Sequence, residues 1–122
     1  MSQDLVADGL NKIMNAKRAG KEELIVRPSK VLVEVLKIMK KRNYLDFKED
    51  KEGINIKIKE ISECKAIKPR YNVKYKDLER YLRRFLPARN LGVLIISTNK
   101  GLMTYEEAEE NKTGGSLIAY AF

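Results

Sequence analysis

Residues 92–108, GVLIISTNKGLMTYEEA, carry the densest structural information in the chain. The β-branched run from Gly92 to Ser97 predicts a strand. Thr98 to Gly101 predicts a turn, because Ser97, Thr98 and Asn99 set short hydrogen-bonding side chains at the strand end, before Lys100 and a permissive Gly101. Thr104-x-x-Glu107 has the spacing of a capping box and opens a short helix to about Asn111. Met103 and Ala108 stand where a weak hydrophobic staple would form. Gly114-Gly115 then breaks the chain, and Leu117 to Phe122 reads as a terminal strand. Small polar groups on a rigid turn can reach ribose 2′-hydroxyls and base edges across a shallow groove. They can equally be a capped turn that satisfies its own backbone. The residues of the turn leave both open.

Upstream of this passage, Cys64 to Lys68 is a strand candidate ended by Pro69, and Asp77 to Arg84 is a short helix or an irregular basic segment, with Pro87 ending it. The N-terminal half is more regular. Leu5, Val6, Leu10, Ile13 and Met14 recur at helical spacing, predicting a helix over 4–18 that Gly20 closes. Leu24 to Arg27 is a short strand stopped by Pro28. Ser29 is a good N-cap for a helix over 30–42, with Val31, Leu32, Val35, Leu36, Ile38 and Met39 inward. Tyr44 to Lys48 and Ile54 to Ile61 form a hairpin around Glu49–Gly53. In its second arm Ile54, Ile56 and Ile58 alternate with Asn55, Lys57 and Lys59, which predicts a strand with a basic outer face. The fold class is therefore α+β, in two small α/β-sandwich-like domains: an α-β-α-β-β unit over 1–63, and a mostly β unit with a short helix over 64–122.

Composition narrows the chemistry. The 122 residues contain 25 Lys plus Arg, 17 Asp plus Glu, one cysteine and no histidine, for a net charge of +8. Catalytic pairs that need imidazole are excluded, as is any zinc site built on histidine or on four thiolates. The lone Cys64, read as a buried small apolar residue, and the lack of a signal-peptide pattern predict a reducing intracellular compartment. The longest apolar run, from Leu91 to Ile96, is too short to cross a bilayer. The charge is uneven: residues 65–89 hold nine basic and two acidic groups, whereas 102–122 is net −3. Tyr71, Tyr75, Tyr81 and Phe85 are interleaved with those cations. A basic face neutralises phosphates, and aromatics stack on bases or pack beneath basic stems. A solvated basic face over an ordinary core is the plainer alternative.

Several separated motifs, in order and at suitable spacing, resemble the S-eight family of small-subunit ribosomal proteins along essentially the whole chain. They are ISTNKGLMTYEEA and the GGSLIAYAF ending, supported by AIKPRY, LPARNLGV, the N-terminal LNKIMNA and RPSK. AIKPRYNV and LPARN resemble the archaeal and eukaryotic branch, and STNKGLMT the archaeal one. The resemblance implies two α+β domains in contact and a primary binder of ribosomal RNA. It would dock on the central domain of small-subunit rRNA, help its assembly and sit in the cytoplasm beside other small-subunit proteins. Some members also repress translation of their own messenger RNA, so a non-ribosomal RNA-binding regulator using the same face is the alternative function.

Carried over by position, the resemblance places the main RNA-contacting loop at Ser97, Thr98, Asn99, Lys100 and Gly101. Gly114 and Gly115 lie beside it, where bare backbone can approach RNA closely. Lys12, Asn15, Ser29 and Lys30 fall where the N-terminal domain meets the sugar-phosphate backbone. Lys68, Arg70, Arg83 and Arg84 are the candidate phosphate contacts of the basic segment. Bacterial members usually carry Glu after the glycine pair; Ser116 stands there in this chain. No cofactor or metal is implied, and no membrane partner. An enzyme acting on RNA or nucleotides is the competing class, yet Glu106, Glu107, Glu109 and Glu110 on one short helix read as a solvated face. No phosphate-binding glycine loop of the G-x-x-x-x-G-K-[ST] type is present. A general single-strand binder built on the tyrosine-rich segment would instead bind by stacking, tolerantly of sequence.

Overall fold

The N-terminal half follows the expected order: α1 (Leu5–Arg18), β1 (Glu23–Val26), α2 (Lys30–Lys41), β2 (Leu45–Asp50) and β3 (Gly53–Ile58). The computed structural model describes residues 5–68, 70–88 and 91–122. The expected first residue of the first helix, Asp4, and the strand-ending Pro69 lie outside that set. The chain divides between Lys65 and Ala66 into two compact units.

In the first unit, α1 buries Val6, Leu10, Ile13 and Met14, and α2 buries Leu32, Val33, Val35, Leu36 and Met39. Val31, expected inward, is 40% exposed, and Ile38 is only half-buried. Leu32, Val35, Leu36 and Met39 define the centre of the apolar stripe, and Val31 and Ile38 lie about 100° from it. Ser29 caps α2, its side chain accepting from the Leu32 N–H at 3.4 Å.

The sheet order is β1-β3-β2, all antiparallel. Leu24, Ile56 and Phe47 align across it, as do Val26, Ile54 and Glu49. The opposite face does not have the expected basic character. Lys57 stands in register between Glu23 and Asp46, so its charge is locally balanced. Asp46 also lies 3.0 Å from Lys40, whose hydrogen bond holds the carboxyl below its ordinary value, with help from the Phe47 N–H.

After β3 the chain is fastened back to α1. The Lys17 ammonium donates to the Ile61 carbonyl, and the Cys64 thiol donates to the Leu10 carbonyl at 3.7 Å. Burial pushes the Cys64 thiol up to about 12 from 9.0, Glu63 adds to the rise, and Lys17 opposes it. The folded state thus favours the protonated thiol. That contribution is complete below about pH 9 and is lost as pH rises toward 12. The expected result is a shallower alkaline loss of stability in Cys64→Ala than in the wild-type chain, measured by urea unfolding across that range. Native Cys64 should also resist alkylation at neutral pH and react once the chain is unfolded.

The second unit comprises β4 (Cys64–Ala66), which carries the chain across the division, then β5 (Asn72–Val73) and a 3-10 turn (Tyr75–Asp77). α3 (Leu78–Phe85), β6 (Val93–Thr98), β7 (Gly101–Thr104), α4 (Tyr105–Glu110) and β8 (Gly115–Ala121) follow. The strand order is β4-β8-β6-β7, with β5 also paired to β8. The ambiguous basic segment is helical because Leu78 and Leu82, one turn apart, are both buried on the sheet. Arg80–Asp77 at 3.8 Å and Arg83–Glu79 at 3.3 Å span its outer turns.

β5 and β7 were not expected as strands. β5 has two residues and no readable period. β7 is Gly-Leu-Met-Thr, extended because β6 supplies its partners. The capping box is present: Thr104 Oγ1 accepts from the Glu107 N–H, and Glu107 Oε1 accepts from the Thr104 N–H, both at 3.3 Å. Ile95 pairs with Ala119 and Ile96 with Leu117, which leaves Ile118 as an extra, bulged residue. Three positions apart in a regular strand, Leu117 and Tyr120 would face opposite ways. The bulge resets the alternation and lets both join the core with Leu78, Leu82, Leu94, Ile96, Met103, Tyr105 and Ala108.

Candidate nucleic-acid interface

Thr98 pairs with Gly101 and Ser97 with Leu102, so β6 and β7 form a tight hairpin with Asn99 and Lys100 exposed at its tip. Gly101 has φ +111, and a Cβ there would meet nothing within 4 Å. Its requirement is conformational, not spatial. The Thr98 hydroxyl donates to the Gly101 carbonyl at 2.9 Å and accepts from the Lys100 N–H at 3.1 Å. This side chain therefore builds the turn, and one lone pair remains for a ligand. Ser97 differs: its hydroxyl has no hydrogen-bond partner among the described residues. Of the two readings left open by the sequence, Thr98 satisfies the backbone and Ser97 remains available.

The glycine pair lies directly alongside. A Cβ on Gly115 would come within 2.2 Å of the Ser97 carbonyl oxygen, and one on Gly114 within 2.2 Å of the Val73 carbonyl oxygen. Both glycines are required by the close approach of the protein's own strands. That approach aligns Ser97 on β6 with Ser116 on β8, and Ser116 with Asn72 on β5. Ser116 donates to Asn72 Oδ1 at 2.6 Å. Ser97, Ser116 and Asn72 thus form a polar row across three strands, spanning about 10 Å. Asn72 did not stand out in the sequence. Its place is set by a pairing 44 residues away, which no local pattern encodes.

The arginines group separately. Ile96, Leu117 and Val73 pack with α3 and α4, so their strand neighbours Ser97, Ser116 and Asn72 point to the opposite face. Arg83 and Arg84 are on α3 and are not brought to the hydroxyl row. Arg83 is paired with Glu79, whereas the Arg84 guanidinium lies 5.7 Å from the rings of both Tyr71 and Phe85. Tyr71 and Tyr81 are 5.9 Å apart, Phe85 and Tyr120 stack at 5.6 Å, and Tyr120 and Phe122 at 6.2 Å. These five aromatics are partly buried against the core, whereas Tyr75 is 38% exposed. Arg84 has no carboxylate partner among the described residues. Arg84→Ala is expected to weaken polyanion binding more than Arg83→Ala, and both should reduce the slope of log Kd against log salt. A salt titration of the two variants measures this.

Lys68 and Arg70 are exposed on the segment whose Ile67 N–H and Tyr71 carbonyl bond to β8. In the first unit, Lys12 and Asn15 lie one turn apart on the exposed face of α1, and Lys12 is 3.3 Å from Asp8. Ser29 is occupied as the α2 cap, with Lys30 exposed beside it. No group of three or more carboxylate or thiol side chains suited to a metal occurs among the described residues, and no helix among them is long and apolar enough to cross a membrane.

The model of a family described as "Ribosomal protein S8" matches residues 4–122. The chain is 44% identical over 126 residues to "Small ribosomal subunit protein uS8" of Methanococcoides burtonii, covering 98% of this chain and 97% of the relative. It is 42% identical over 129 residues to the Nanoarchaeum equitans protein of the same name, across the full length of both. It is 39% identical over 127 residues to "Small ribosomal subunit protein uS8A" of Schizosaccharomyces pombe, covering 98% of each. A match of this extent, by the family model and by relatives 39–44% identical along nearly the whole chain, has one meaning: the chain belongs to the ribosomal protein S8 family.

Proposed function

We propose that this protein is a structural constituent of the small ribosomal subunit that binds small-subunit rRNA, docks on its central domain and helps its assembly. The role is architectural and not catalytic. The observation that carries it is the full-length similarity to relatives named as small-subunit proteins. The hydroxyl row gives a physical means. Uncharged groups in fixed register read the shape and edges of a structured RNA, while Lys100 at the hairpin tip supplies salt-dependent affinity beside them and the arginines of α3 offer cations on the opposite face. The C-terminal unit carries this recognition, and Lys12, Asn15, Ser29 and Lys30 of the first unit add backbone contacts. Neighbouring ribosomal proteins complete its partners.

Footprinting on small-subunit rRNA, in competition with a generic single strand, tests the proposal. Protection confined to a structured element of the central domain, surviving excess single strand, is the expected result. Equal competition by the single strand would overturn it.

A further inference from the structure

We propose that Asn72 is a further RNA-contacting residue and that Ser116 is its positioning residue. This rests on the reading of the Ser97–Gly101 face as an rRNA-binding surface. Asn72 is exposed on β5, in register with Ser116, which is in register with Ser97. The 2.6 Å bond from the Ser116 hydroxyl occupies Asn72 Oδ1 and so decides which end of the amide is offered. The Nδ2 group, two donors with no protein partner among the described residues, is left for a ligand.

The neighbouring positions suit a nucleic acid. Lys74 follows with extended backbone, φ −74 and ψ 151, and is exposed, so it can place a cation two residues from the amide along the same edge. Ser97, at the other end of the row, offers a hydroxyl that both donates and accepts. The shallow groove of an RNA helix displays acceptors at purine N3, pyrimidine O2 and the ribose 2′-oxygen, flanked by phosphates. An amide donor fixed at one end of a row about 10 Å long, with a hydroxyl at the other, matches that display. Ser116 spends its hydroxyl proton on Asn72 Oδ1. It works through Asn72.

The test uses the full chain and a central-domain fragment of small-subunit rRNA, with Kd measured at fixed salt. Asn72→Ala should weaken binding about fivefold to tenfold, as expected for a lost polar contact. Asn72→Asp keeps the acceptor for Ser116 but replaces the donors with negative charge. It should weaken binding more, by about thirtyfold. Ser116→Ala should cost about threefold, and Ser116→Thr, which retains the hydroxyl, should restore binding. Melting temperatures should stay close to wild type for the Asn72 variants, because the side chain is exposed. Wild-type affinity for both Asn72 variants, with Ser97→Ala weakened, would overturn the inference and leave the interface standing. Wild-type affinity for all of them, Ser97→Ala included, would overturn the interface itself. Equal loss in Ser116→Ala and Ser116→Thr would refute the positioning role.

Discussion

Gly115→Ala is expected to destabilise the protein by about 3 kcal/mol, the upper range for overpacking a site that cannot relax cheaply. Nothing in its own backbone demands glycine through a left-handed φ, as at Gly101. The demand comes from space, because the added methyl would sit 2.2 Å from the Ser97 carbonyl oxygen and 3.1 Å from Ile96 Cγ2. Backbone oxygen in a paired strand cannot step aside as a flexible side chain can. Relief requires β8 to slide away from β6, which disrupts the Ser97–Ser116 and Ile96–Leu117 pairs. The melting temperature should fall by about 10 °C. RNA affinity should fall as well, even where the protein remains folded at 25 °C, because the polar row loses its register. Thermal unfolding and Kd measured on the same sample check both. A melting temperature within a degree or two of wild type would show that the strands accommodate the methyl.

The second large effect is on binding. Ser97→Ala combined with Thr98→Ala should weaken affinity for the rRNA fragment by about 2–3 kcal/mol, or about 100-fold, with little change in salt slope because neither side chain is charged. The two contributions differ in kind. The Ser97 hydroxyl is unused within the described protein, so Ser97→Ala should reduce binding and leave stability unchanged. The Thr98 hydroxyl bridges Gly101 and Lys100 across the turn. Thr98→Ala should therefore cost about 1 kcal/mol of stability as well, measurable as a lower urea midpoint. Thr98→Ser, retaining the hydroxyl, should recover most of both. An unchanged affinity in the double variant would remove the loop from the interface.

Local elements were legible in the sequence because their signals are local. The Thr104-x-x-Glu107 spacing specifies a capping box within a single helical turn, and that box is present. Ser29 before an apolar 3.6-residue period specifies a capped helix. Val31 strayed because a period locates the centre of a stripe better than its edge. The β5 and β7 strands were not legible: one is too short to show alternation, and the other is extended only because β6 pairs with it. The charge pattern misled on the first sheet for a related reason. Lys57 and Lys59 read as a basic face in the sequence, but Glu23 and Asp46 flank Lys57 across the strands.

The candidate site divides in the same way. The hairpin loop, the glycine pair and the arginines of α3 were each recognisable by type and by resemblance. Their arrangement was not. That Thr98 is spent on its own turn while Ser97 is not depends on which way each hydroxyl points. That Gly114 and Gly115 are needed by the protein's own strands depends on distances between segments remote in sequence.

From the residues alone came an α+β chain of 122 residues without histidine, and a net +8 gathered mainly in 65–89 and the N-terminal half. Charge and helical or strand period are properties of short segments and do not depend on how those segments meet. Only the tertiary structure joined Asn72 to Ser116 and Ser116 to Ser97, and set the arginines on the other side of the sheet. Cross-strand register is fixed by pairing partners tens of residues apart and by a bulge at Ile118. One position of slip would have turned the whole row inward.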